Sequence, residues 1–370
     1  MPPDAASCTT MQWLPRARWL MLLLVAVAGG TQAAPTRTGL QADVRFDSMP
    51  AFARNGALLR RLQSPLEALH TRQALAGRRG ALEASPIDPD AARFALYVPP
   101  PPAPAGGYAL LVFVPPWNPA RVPESWLPAL DRSHTILVTA AGSGNAADVA
   151  NRREPLALLG AHGVMQRYRV NPAQVYVGGF SGGSRVALRL ALGYPDLFRG
   201  ALLDAGSDPI GTAAVPLPPA KLLHQFQDTS RLVFLTGEDD VVRQAQLARA
   251  SASLQHWCAF NTRSITLLRT PHVLADAAAV TRALAWLQRP AAPPAARVQA
   301  CRARVHAQLD ARVTQVRAFM AAGRVNQAAR TLARVDAVYG GLAAPASVEI
   351  LQRIQAKRPL AGRPPEGSGP

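Results

Sequence analysis

The sequence predicts a mainly parallel β-sheet covered by helices on both faces, followed by an all-helical appendage. Three observations carry this. Short runs rich in β-branched and aromatic residues recur at 93–98 (RFALYV), 109–114, 135–140, 174–179, 200–206, 231–237 and 264–270. From the third run onward they are separated by helix-like stretches such as 153–168, 185–194 and 275–288. Nearly continuous apolar strands alternating with helices belong to a sheet buried on both sides. After the Pro-rich segment 289–297 the strand runs stop. Val305, Leu309, Val313, Val316 and Met320 make one helical stripe, Gly323 breaks it, and Val325, Ala329, Leu332, Val335 and Tyr339 make the next. A helical hairpin follows from that, with a third helix expected at 347–356.

Taken in order, Arg16 and Arg18 precede the apolar run WLMLLLVAVA at 19–28, and the small-residue stretch GGTQAA follows it. Charge, apolar run and small residues in that order read as a secretory leader over 1–33, cleaved after Ala33. The run is too short to cross a bilayer comfortably, so no retained membrane span is expected. The expected location is bacterial, secreted or periplasmic. Residues 34–90 carry Leu58, Leu59, Leu62, Leu66 and Leu69 at helical spacing and read as an N-terminal extension. The main domain is expected over 91–290, the helical appendage over 291–357 and a disordered tail over 358–370.

A formal net charge of +17 raises nucleic acid as a partner. The sequence argues otherwise. Only Lys221 and Lys357 are lysine, and the arginines are spread along the whole chain without aromatic interleaving or a reading motif. No nucleic-acid partner is expected, and the basic helices after 291 read as a solvated face. No His, Asp and Cys cluster stands at metal-ligand spacing, and neither a P-loop nor a dinucleotide fingerprint is present. The expectation is therefore no metal and no cofactor.

The most informative stretch is GGFSGGSRVALRL at 178–190, where four glycines surround Ser181 and an amphipathic run follows. It satisfies G-x-S-x-G with Gly179, Ser181 and Gly183, after a strand and before a helix. In such a strand-turn-helix the serine backbone is strained so that its hydroxyl stands clear of the sheet, and side chains two residues away on either side would collide. The Gly182 amide then faces the substrate as an oxyanion donor, aided by the positive end of the helix. The same glycines would also suit an ordinary βα turn or a phosphate-binding loop.

A serine hydroxyl needs a histidine to take its proton and a carboxylate to orient that histidine. On this scaffold they follow in the order Ser, Asp, His. His256 lies inside a helical run, His306 in the appendage, and His224 before any suitable acid, so His272 in LLRTPHVLADAAAV is selected. For the acid, Asp240 in GEDDVV is chosen over Asp239, with Asp208 a distant third.

With these residues in place, the chain resembles the α/β-hydrolase esterases related to polyhydroxybutyrate depolymerases, in particular their secreted bacterial relatives. The resemblance covers roughly 92–290. It rests on NPAQVYVGGFSGGSRVALRLALGYPDLFRGALLDAGS, on GEDDVV, and on the His272 segment running into RALAWLQ. It implies an α/β-hydrolase fold, a small or polymeric ester as substrate, cleavage through an acyl-serine, and the roles of nucleophile, acid and base on Ser181, Asp240 and His272. The chain departs from the family where a His-Gly pair usually supplies a second oxyanion amide. Here VFVPPWNPA stands, and Pro115 and Pro116 have no N–H, which leaves Trp117 as the nearest donor or else as a wall of the acyl pocket. A serine peptidase on the same scaffold, or a hydrolase-shaped binding protein that has lost catalysis, are the alternatives.

Cys8 would leave with the leader. Cys258 and Cys301 remain, an even number in an oxidising compartment, and are expected to pair and clamp the appendage to the main domain.

Overall fold

The central strands are buried along their whole length, because helices cover both faces of the sheet. The computed structural model describes residues 37–290 and 292–357, and the leader and tail expected at 1–33 and 358–370 lie outside the described residues. In order, the elements are β1 (Gly39–Val44), α1 (Asn55–Leu62), α2 (Pro65–Leu75), β2 (Phe94–Val98), β3 (Tyr108–Val114), α3 (Leu127–Arg132) and β4 (Thr135–Ala140). There follow α4 (Glu154–Arg167), β5 (Val170–Phe180), α5 (Gly182–Gly193), β6 (Gly200–Asp204), α6 (Ala220–Thr229), β7 (Arg231–Gly237), α7 (Val241–His256), β8 (Thr262–Leu267) and α8 (Ala277–Gln288). The chain then continues in α9 (Ala295–Ala321), α10 (Val325–Tyr339) and α11 (Ala346–Lys357).

The eight strands form one sheet in the order β1-β2-β4-β3-β5-β6-β7-β8. β2 pairs antiparallel with β1 and with β4, and every pairing from β4 through β3 to β8 is parallel. An antiparallel β2 near the edge, a crossover between β3 and β4, and parallel strands from β5 to β8 define the α/β-hydrolase fold.

All of β3 is buried, and its residues sort into two layers. Leu110, Val112 and Val114 face the layer formed by α4, α5 and α6, with Leu158, Val186 and Phe226. Ala109, Leu111 and Phe113 face α3 and α8, with Leu130, Val280 and Leu284. Burying each such side chain contributes about 1.5–3 kcal/mol, and both faces must be covered because the period-two strand points apolar groups to both.

Among the described residues the helices after 294 share the core of the sheet domain. Val305, Leu309, Val313 and Val316 of α9 join the same apolar cluster as Phe226, Leu254 and Trp257. Gly323 lies at φ +69° and turns the chain from α9 into α10, a left-handed position that a β-carbon would strain. At α10 the Asp336 carboxylate accepts the amide of Leu66 at 3.1 Å, which ties α2 to the hairpin. The leucine spacing at 58–69 is thus realised as α1 and α2. β1, α3 and α6 were not foreseen. β1 reads GLQADV and is a partly exposed edge strand with little apolar content, so the pattern of buried strands does not reveal it. Among the described residues no helix is long and apolar enough to cross a membrane.

Candidate active site

Ser181, Asp240 and His272 each follow the C-terminal end of a different parallel strand: β5, β7 and β8. Open α/β sheets bind ligands at that edge. Ser181 sits between β5 and α5 at φ +56°, ψ −117°, a backbone conformation that a non-glycine residue adopts only under strain. Its surroundings make the strain possible. A β-carbon on Gly179 would run into the main chain of Gly183 and Ser184, one on Gly183 into the Val114 carbonyl, and one on Gly206 into the Ser181 carbonyl. The glycines therefore let three chain segments close on the serine. The Ser181 amide donates to the Asp204 carbonyl at 2.8 Å, which fixes the turn to β6.

His272 Nε2 lies 3.0 Å from Ser181 Oγ, and His272 Nδ1 lies 2.5 Å from Asp240 Oδ2. Asp240 is 8% exposed. Its other oxygen caps the first turn of α7 by accepting the Arg243 amide at 3.3 Å, so the carboxylate is held at both oxygens. Phe180 stacks on the His272 ring at 5.1 Å between centroids. The other acids are elsewhere. Asp239 is exposed, Glu238 accepts the Arg269 amide, and Asp208 lies 3.5 Å from Arg185. His224 and His306 face each other at 3.4 Å between α6 and α9, and His256 packs edge-on against Trp257.

A cavity of about 560 Å³ opens beside the serine, within the range of small-molecule sites. Ser181, Gly182 and Asn145 line it. The Asn145 carboxamide occupies the space where a Gly182 side chain would go. Trp117 stands outside that lining, its ring packed on Phe113 and its indole Nε1 buried without a partner. Its loop is nevertheless tied to this edge, because the Asn145 amide donates to the Pro116 carbonyl at 3.0 Å. Neither the Gly182 nor the Trp117 amide donates to a main-chain carbonyl among the described residues. Val241, Val242 and Val273, next in sequence to the acid and the histidine, are exposed. Among the described residues no group of three or more His, Cys, Asp and Glu side chains could hold a metal ion.

Asp204, at the end of β6, is a buried carboxylate that sequence reasoning missed. It is 1% exposed. One oxygen accepts the Ala275 amide at 2.9 Å, and the other has no partner. Desolvation pushes its pKa up to about 8, against a weak opposing pull from the Ala275 amide. Unfolded, the group titrates at about 3.9, so the folded chain holds the proton through the interval between. Stability from this group is fully present below the unfolded value and is lost as pH rises through about 8. Asp204→Asn removes the titration while keeping an oxygen for Ala275. From about pH 5 to 9 the melting temperature of the wild type is expected to fall more steeply than that of Asp204→Asn. Parallel curves would show that Asp204 does not titrate in this interval.

No family model matches the chain, and no curated protein matches it. Solved structures do resemble it. A thermostable esterase is 15% identical over 53% of this chain and 58% of its own length, with a TM-score of 0.39. The S-formylglutathione hydrolase of Staphylococcus aureus is 12% identical over 53% of this chain and 92% of its own, with a TM-score of 0.41. The thermophilic esterase Est2 of the planctomycete Thermogutta terrifontis is 16% identical over 54% and 88%, with a TM-score of 0.39. The chain thus spans less than two thirds of the length of the first of these. Such likenesses carry no activity across, and neither the strand order nor the Ser181–His272–Asp240 geometry depends on them.

Proposed function

We propose that the chain is an exported serine hydrolase that cleaves carboxylic esters through an acyl-serine intermediate. One observation carries the reading: a serine in a strained left-handed turn, 3.0 Å from an imidazole that is itself 2.5 Å from a buried carboxylate. Asp240 keeps the Nδ1 proton of His272 in place, which leaves Nε2 to accept. As Ser181 Oγ attacks the acyl carbon, its proton passes to Nε2, and the negative charge moves onto the carbonyl oxygen. The free amides of Gly182 and Trp117, with the Asn145 carboxamide beside them, are the donors for that oxygen. Nε2 then returns the proton to the leaving alcohol oxygen as the C–O bond breaks. Water repeats the sequence on the acyl-serine, and Ser181 is restored.

The motif resemblance to polyhydroxybutyrate depolymerase-type esterases supports an ester over an amide substrate. The Cys258–Cys301 bond supports an oxidising compartment and hence export of the chain. A fluorophosphonate probe tests the mechanism most directly. It is expected to label the folded protein at Ser181, with labelling absent in Ser181→Ala and hydrolysis of 4-nitrophenyl butyrate lost in the same variant. Label on another serine, or none, would defeat the proposal.

A further inference from the structure

The cavity beside Ser181 is lined by four arginines, Arg153, Arg185, Arg189 and Arg243, and by a single acid, Asp208. They come from three places in the chain: the turn before α4, the α5 helix that begins at the serine, and the first turn of α7 after the acid. Two of the four are answered by carboxylates. Arg189 Nε is 2.6 Å from Glu154 Oε1, and Arg185 Nε is 3.5 Å from Asp208 Oδ1. Arg153 and Arg243 make no ion pair among the described residues, and Arg243 bonds only the neutral Gln246 carboxamide through its side chain.

Arg153 is the decisive member. It is 3% exposed, donates one N–H to the Pro115 carbonyl at 3.0 Å, and leaves its Nε without any partner. Burial pulls its pKa below the ordinary value, with the Glu154 charge opposing. A buried guanidinium with no carboxylate bonded to it is costly to keep, and an anion seated in the cavity beside it offsets that cost by balancing the charge. Arginine also meets a carboxylate with a matching fork of donors. An excess of positive charge around a recess further draws anionic substrate in from solution.

We propose that this site takes an anionic ester, one whose acyl or alcohol part carries a carboxylate seated among Arg153, Arg185 and Arg243 while Ser181 attacks the ester carbon. The inference rests on the serine-hydrolase reading above, and the test separates the two. Two matched pairs of substrates place the anion. The mono-4-nitrophenyl ester of glutaric acid against 4-nitrophenyl pentanoate puts it on the acyl side. The 4-carboxyphenyl ester of butyric acid against its 4-carbamoylphenyl analogue puts it on the alcohol side. In at least one pair kcat/KM is expected to favour the anion by about tenfold at low salt, and the preference to shrink in about 0.5 M NaCl. Arg243→Gln and Arg185→Gln should each lower that ratio, and Arg243→Lys should retain more of it than Arg243→Gln. Arg243 is half-buried, so its variants keep the fold in reach where Arg153→Gln tests it harder. A ratio near one in both pairs, from protein that a fluorophosphonate labels at Ser181, overturns this inference alone. So does an anion preference that no arginine variant moves. Failure of the probe to label Ser181 overturns the hydrolase reading and this inference with it.

Discussion

His272→Ala is expected to lower kcat/KM for 4-nitrophenyl butyrate by about ten-thousandfold or more, and Asp240→Asn by about a thousandfold or more, whereas His256→Ala stays close to wild type. The difference follows from geometry. His272 is the imidazole within hydrogen-bonding reach of Ser181 Oγ, and Asp240 is the carboxylate on its far nitrogen. Losing the imidazole leaves the hydroxyl protonated in the transition state. Losing the carboxylate's charge leaves the ring free to present the wrong tautomer. His256 ends α7 with its ring against Trp257 and makes no contact with Ser181 among the described residues. Asp239→Asn serves as a second control, since that side chain is exposed beside the acid. Steady-state rates of the four variants, with circular dichroism to establish folding, decide the matter. Loss of turnover in His256→Ala with His272→Ala active would reverse the assignment.

Much of this site was legible because the chemistry constrains the sequence locally. Gly179 and Gly183 are required by close main-chain approach, and the order of elements narrows the histidines to His272 and the acid to the GEDDVV segment, where Asp240 is preferred to Asp239. The parallel strands were legible for a similar reason: burial on both faces makes each one a continuous apolar run. Other features left no such mark. The cavity arginines belong to a chain in which nearly all of the 40 basic residues are arginine, so nothing in the spacing of Arg153, Arg185 and Arg243 marks them as convergent. Their elements meet only through the sheet topology. Asp204 ends an apolar strand where a solvated acid could equally stand, and its contact with the Ala275 amide depends on the path of the chain after β8. Phe180 stands inside the motif, yet its stacking on His272 depends on the path of the chain after β8. That strand was expected to run to 270 and ends at Leu267, so the segment from Leu268 to the histidine is loop.

Breaking the Cys258–Cys301 bond is expected to destabilise the chain by about 4 kcal/mol, the loop-closure value for the observed separation of 43 residues. For a chain of this size that corresponds to a fall in melting temperature of about 5 °C. The bond closes the junction between α7 and α9, and neighbouring contacts concentrate there. Arg302 reaches Asp228 at 2.8 Å, Arg304 donates to the His256 carbonyl at 2.9 Å, and the Arg297 guanidinium lies 4.0 Å from the Phe260 ring centroid. Trp257 and Tyr339 meet edge-on at 5.5 Å, which links the same corner to α10. The ion pair and the arginine contacts lie near the surface and contribute little each, while Trp257 and Tyr339 are buried. Asp240 stands at the opposite end of α7, whose 16 residues span about 24 Å, so the active site is far from the bond. Reduction, or Cys301→Ala, should therefore expose 297–357 to trypsin, which has many arginines to cut there, before it changes ester turnover. Alkylation of the denatured, unreduced chain from residue 34 onward provides the direct check. Uptake of two carbamidomethyl groups would show that the thiols are free, and an unchanged melting temperature on reduction would show that the clamp contributes nothing.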